Sequence, residues 1–150
     1  MFKAIGYAAQ SATAPLAPMT FERRTPRADD VALEVLFCGV CHSDIHQARN
    51  EWGFASYPLM PGHEIVGKVT SVGADVSKYK VGDIVGVGCL VDSCRTCEAC
   101  EANLEQYCLD GPTQTYASRD RVDGTLTMGG YSNAMVVSER FVVRIPEKLD

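Results

Sequence analysis

Cys94-Arg95-Thr96-Cys97-Glu98-Ala99-Cys100-Glu101-Ala102-Asn103-Leu104-Glu105-Gln106-Tyr107-Cys108 gathers four thiols into one short lobe. Cys94, Cys97, Cys100 and Cys108 offer only soft thiolates, the donor set of a closed, tetrahedral, structural zinc that staples a loop. Solitary core thiols rarely fall at such spacing. An iron-sulfur cluster is the other metal such spacing suggests, but the fourth cysteine comes late and Leu109 rather than proline follows it. Upstream, Cys41-His42-Ser43-Asp44 and Gly62-His63-Glu64 hold a different mixture. One thiolate, one imidazole and one carboxylate (Cys41, His63, Glu64) suit an open zinc that keeps a coordination position for substrate or water.

The rest of the composition narrows the class. With 150 residues, 46% of them hydrophobic, the chain buries roughly 70% of its unfolded surface in one core, so one domain is the expectation. A formal charge of -5 and no Lys/Arg cluster argue against nucleic acid or an anionic membrane as partner. No apolar run is long enough to span a membrane, and the first residues lack the apolar core of a secretion signal. Seven cysteines, an odd number at ligand-like spacing, favour metal ligation in a reducing cytoplasm over disulfides.

Short apolar, β-branched runs cut by glycine and proline predict a mainly β fold, a small barrel or sandwich. Strands are expected at 3–7, 20–24, 31–38, 65–72, 84–88, 131–137 and 141–145. Helices are expected from Ser43, as a cap, to Arg49 and from Glu98 to Tyr107, with Glu98, Glu101 and Glu105 as a solvated face. Residues 112–128 read as a polar surface loop. Cys38 and Cys41 form a Cys-x-x-Cys pair without the βαβ context of a redox motif, so Cys38 reads as a strand-end core residue, and Cys89 as core. Gly86-Val87-Gly88 is half a dinucleotide fingerprint, with Val91 where the third glycine belongs.

Taken in order and distance, Gly39-Val40-Cys41-His42-Ser43-Asp44, Pro61-Gly62-His63-Glu64 and the four-cysteine lobe resemble the zinc-dependent medium-chain alcohol dehydrogenases. Asp123-Gly124-Thr125, Gly129-Gly130-Tyr131-Ser132 and Glu51-Trp52 point within that family to the cinnamyl-alcohol-dehydrogenase branch, which reduces aldehydes with NADPH. The resemblance runs the length of the chain but covers less than half of the family's usual length. It implies a GroES-like, partly open β-barrel with short helices and a zinc-stapled lobe, preceding a Rossmann domain that binds NADP or NAD.

The resemblance also implies roles. Cys41 and His63 match catalytic zinc ligands, Glu64 a carboxylate that exchanges onto the metal, and Asp44 the partner that holds the His63 ring. Ser43 and His46 match a proton relay, a task suited to an imidazole because that group titrates near neutrality. His42 matches a position beside the cofactor pyrophosphate and Trp52 one lining the substrate pocket, although a large aromatic serves equally well as packing. The implied substrate is a primary alcohol or aldehyde, and the implied assembly a homo-oligomer. In the family a third zinc-ligating cysteine and the Rossmann domain follow this point, so residues 1–150 read as an N-terminal catalytic domain without turnover of its own and with apolar surface left uncovered. The alternative is a stand-alone zinc-stapled binding or interaction module in which Cys41 and His63 are vestiges.

Overall fold

The computed structural model describes residues 1–149. A hairpin of β1 (Phe2–Ala8) and β2 (Ala17–Arg23) precedes β3 (Asp30–Cys38), α1 (His42–Ala48), β4 (Ile65–Val72), β5 (Ile84–Val87) and β6 (Leu90–Asp92). After α2 (Glu98–Glu101) come β7 (Thr113–Gln114), β8 (Ala134–Ser138) and β9 (Val142–Arg144). Five strands form one antiparallel sheet in the order β8-β3-β4-β5-β9, while β6 and β7 pair separately. The sheet curls into an open half-barrel with short helices, as expected of a mainly β, GroES-like fold. No helix among the described residues is long and apolar enough to cross a membrane.

Burial follows position in the sheet. β4 alternates, with Ile65, Gly67 and Val69 buried against Lys68 and Thr70 outside. β3, paired on both edges, is buried continuously from Asp30 to Leu33. The core gathers Val31, Leu33, Ile65, Val69, Val85, Val87, Met135, Val137 and Val142. Both register shifts between β3 and β4 fall within β3, the later one between Val35 and Phe37, just before the Cys41 segment.

Several expectations need correction. α1 begins at His42 with Cys41, not Ser43, at its cap position; Ser43 lies inside the helix and donates instead to Cys41 Sγ at 3.1 Å. The second helix breaks after Glu101: Asn103 turns to φ 60° and a 3-10 turn covers Glu105–Tyr107. A continuous helix would carry Cys108 about 12 Å along the axis from Cys100, too far for four thiols to meet. Residues 112–128 are not simply a surface loop. Thr113, Thr115 and Tyr116 are buried, and Thr115 spends its hydroxyl on Gly88 O and its N–H on Cys89 O, so polar residues there satisfy the interior rather than face water. β8 starts at Ala134 rather than 131, because residues 131–133 bond to β1: Tyr7 N–H donates to Tyr131 O at 2.8 Å and Asn133 N–H to Ile5 O at 2.9 Å. Cys89 is exposed, not core.

Two arginines fasten the loops to this frame. Buried Arg23 donates to the carbonyls of Met128 (2.6 Å), Gly129 (3.0 Å) and Ala134 (2.9 Å) and to Ser132 Oγ (2.9 Å). Burial and neighbouring Arg24 both work against its charge, and these four acceptors offset the cost of keeping it inside. Arg27 clasps Asp120 in two hydrogen bonds, at 3.0 and 2.8 Å, across the tip of the long loop.

Arg23→Lys should cost about 3 kcal/mol in urea denaturation, because a single ammonium leaves buried acceptors short of donors at ~1–3 kcal/mol each; a loss below ~0.5 kcal/mol would contradict the clamp. Burial raises the Asp120 pKa, but Arg27 and the N–H groups of Val122 and Asp123 outweigh it and hold the carboxyl at about 2. A depressed folded-state pKa contributes stability that is complete above the ordinary carboxylate range, about pH 4, and is lost as pH falls through about 2. Thermal melts between pH 4 and 2 should therefore be less steeply pH-dependent in Asp120→Asn than in the native chain; equal slopes would rule the pair out as their cause.

Candidate active site

Asp44 joins three segments. Its carboxylate is 2% exposed, and Oδ1 accepts Gly62 N–H at 2.9 Å and faces His63 Nδ1 at 3.1 Å, while Oδ2 accepts Cys41 N–H at 3.0 Å and the Tyr131 hydroxyl at 3.3 Å. A buried carboxylate needs donors of this number to be tolerated. The bond to Cys41 N–H also closes the first turn of α1 and sets a negative charge at its start, which explains why so short a helix forms here. Gly62, at φ 100°, must be glycine: an added Cβ would lie 2.6 Å from Tyr131 Cδ1. Burial, then the Asp44 charge, pushes the Tyr131 phenol well up, so it stays a donor.

With Asp44 on Nδ1, His63 turns Nε2 toward Ser43 Oγ at 3.5 Å. One donor atom each from Cys41, His63 and Glu64 lie within 4.8 Å of one another, a spacing one metal ion can bridge. Beside them opens a cavity of about 310 Å³ that Ser43, Gln47, Trp52, His63, Cys89 and Tyr116 help to line. Trp52 and Phe54 of its lining continue into a row of rings, His42, His46, Trp52 and Phe54, with successive centroids 4.8, 5.4 and 6.0 Å apart. His46 Nδ1 pairs with the Glu51 carboxylate, and that bond lowers the Glu51 pKa.

The second donor set is closed. Sγ atoms of Cys94, Cys97, Cys100 and Cys108 also lie within 4.8 Å of one another, and Cys94 and Cys100 are 3.8 Å apart. Zinc–sulfur bonds of about 2.3 Å in a tetrahedron separate sulfurs by about 3.8 Å, so the cluster fits that ion. At Cys100 a Ser93 hydrogen bond that lowers the thiol is outweighed by burial and the neighbouring thiols Cys97 and Cys108, which push it up to about 11. Backbone N–H groups of Thr96 and Cys97, by contrast, pull the Cys94 thiol down to about 6, and those of Leu109 and Cys100 lower Cys97. Stabilised thiolates of this kind attract a divalent cation. Arg95 ties the lobe to the barrel, bonding Asp29 at 2.6 Å and Asp92 at 2.9 Å.

The sequence-expected residues thus fall into two groups in space: the four-cysteine lobe, and the Cys41, His63 and Glu64 set, to which Ser43 and Asp44 bond, with Trp52 lining the adjoining cavity and His46 and His42 stacked in turn beside Trp52. The sequence reading missed Tyr116, whose ring lies 5.7 Å from His63 and whose phenol is pushed up by burial and then by Asp44. It also missed Gln47, Cys89 and Tyr131. No motif marks Tyr116, which sits in a polar stretch before Ala117 at φ 55°; Gln47, by contrast, lies one turn beyond Ser43 on α1, a signal that helical periodicity carried.

Residues 27–147 match the alcohol dehydrogenase GroES-like domain. The chain is 57% identical over 147 residues to alcohol dehydrogenase 9 of Catharanthus roseus, covering 98% of the chain and 40% of that protein. A cinnamyl alcohol dehydrogenase structure from Sorghum bicolor matches with a TM-score of 0.96 at 51% identity, over 99% of this chain and 42% of that one. One from Helicobacter pylori, complexed with NADP(H), matches with a TM-score of 0.94 at 41% identity, over 99% and 43%. The chain therefore spans about 40% of the length of the curated relatives it matches.

A closed metal site is coupled to folding and an open one much less so. In zinc-loaded protein, Cys97→Ser should lower stability by at least about 3 kcal/mol, roughly 10 °C in melting temperature, while Cys41→Ser changes it little. A larger loss for Cys41→Ser in thermal melts would reverse the assignment of the two sites.

Proposed function

The chain belongs to the alcohol dehydrogenase GroES-like domain family, and from that premise we propose that it is the metal-binding, substrate-orienting part of an NADP-dependent dehydrogenase that interconverts primary alcohols and aldehydes. The observation that carries this is the Cys41, His63 and Glu64 donor set beside a cavity that His63 lines, with Asp44 holding the imidazole. NADP as cofactor is supported by the complexed Helicobacter pylori relative. Cys41 and His63 would hold a catalytic zinc, with Glu64 as an exchangeable ligand, and the four-cysteine lobe a structural one. Bound there, zinc supplies Lewis acidity toward the substrate oxygen and the nicotinamide carries the hydride.

The chain's own residues orient the substrate and move the proton. Trp52 and Phe54, exposed at 49% and 66%, give an apolar wall beside the polar Ser43 and His63. Ser43 Oγ, fixed by its bond to Cys41 Sγ, lies where it can exchange a proton with an alcohol hydroxyl seated at the donor set. His46 is three residues further along α1 with Glu51 against its ring, and among the described residues no hydrogen bond joins it to Ser43. A relay to solvent therefore runs through an intervening hydroxyl or water. His42 is exposed at the start of the helix and in this reading would meet the cofactor's pyrophosphate. The parent protein, in this reading, is a cytoplasmic homo-oligomer whose Rossmann domain brings the nicotinamide to the cavity.

In a protein that joins these residues to such a nucleotide domain, Ser43→Ala should slow NADPH-dependent reduction of an aromatic aldehyde by roughly 10²-fold, with KM changed much less than kcat. Steady-state kinetics decide: an unimpaired Ser43→Ala protein removes Ser43 from the proton path, and activity surviving Cys41→Ser removes the metal from the reading.

A further inference from the structure

We propose that Tyr131 is a positioning residue for His63, acting through Asp44. The Asp44 carboxylate is held on both sides: Gly62 N–H and His63 Nδ1 engage Oδ1, Cys41 N–H and the Tyr131 hydroxyl engage Oδ2. Two of these partners are backbone groups and one is the ring being positioned. Tyr131 is the remaining side chain, and its hydroxyl shares with Cys41 N–H the task of keeping Oδ2 in place, which keeps Oδ1 in place for His63.

The phenol cannot easily swing away. Tyr131 N–H donates to Pro61 O at 3.0 Å, Gly130 N–H to Gly62 O at 2.8 Å and Gly129 N–H to Met60 O at 2.8 Å, so the turn that carries the ring is laced to the segment that carries His63. The lacing requires small residues: a Cβ on Gly129 would sit 2.2 Å from Pro61 O. Arg23 grips the far side of the same turn through Gly129 O and Ser132 Oγ. With the backbone behind it held in this way, the Tyr131 hydroxyl at 3.3 Å helps keep the carboxylate in one rotamer, and the carboxylate holds the proton of His63 on Nδ1, leaving Nε2 free as a ligand.

The metal-affinity consequence rests on the reading of Cys41 and His63 as metal ligands; the orientation of the imidazole does not. Tyr131→Phe keeps the ring and removes only the donor. Cobalt(II) titrated into chain whose four-cysteine lobe carries zinc, followed by thiolate-to-cobalt charge-transfer absorbance, should show about a tenfold weaker Kd in Tyr131→Phe, with the lobe's zinc content unchanged and the melting temperature lowered only by the roughly 2–4 °C that one lost donor costs. An unchanged Kd overturns the proposal, and so does a weaker Kd accompanied by equal loss of lobe zinc, which is a structural effect. If the native chain itself takes up no cobalt at Cys41, the metal reading fails, and the imidazole nitrogen chemical shifts of His63 test the positioning alone. The native ring should then be a single Nδ1–H tautomer and the Tyr131→Phe ring a mixture; one tautomer in both chains overturns the proposal.

Discussion

A carboxylate buried at the meeting point of three chain segments sets the terms for everything around it. Asp44 is 2% exposed, and an uncompensated charge at that depth would cost more than the domain's whole margin of stability. The chain answers by bending Cys41, Gly62 and Tyr131 in toward it. The glycines at 62 and 129 permit the close approach, and Arg23 secures the turn behind Tyr131. His63 is oriented as a by-product of satisfying one charge, so fold and site share a single cause.

The two donor sets differ in how they are built, and that difference accounts for their expected behaviour. Four cysteines lie within one local lobe whose helix breaks at Asn103 so that Cys108 can return. Its ligands come from one short stretch, and a metal there closes a small loop. Cys41, His63 and Glu64 come from opposite ends of a long connection and meet only because β3, α1 and β4 are already in place. Such a site inherits its geometry from the fold and adds little to it, as the open metal site proposed here requires.

Sequence patterning was enough to locate the barrel strands and both donor sets, because strand periodicity and cysteine spacing are local signals. β4 was legible to the residue, since alternation and flanking glycines coincide there. The misses are residues whose role depends on distant partners. Thr113, Thr115 and Tyr116 look like loop residues until Gly88, Cys89 and His63 are seen beside them. Cys89 reads as core by residue type, yet the turn after β5 presents it to the cavity. Propensity favours a longer helix after Cys97, whereas convergence of the thiols requires the break.

The central claim is that Asp44 holds the site together, and amide hydrogen exchange measures it at the atoms concerned. Cys41 and Gly62 lie outside strands and give their N–H groups to Asp44 alone among the described residues. Both amides should exchange slowly in the native chain, at rates near those of buried β4, and both should lose that protection together in Asp44→Ala. Exchange of Cys41 and Gly62 at open-loop rates in the native chain, or protection that survives removal of the carboxylate, would contradict the account.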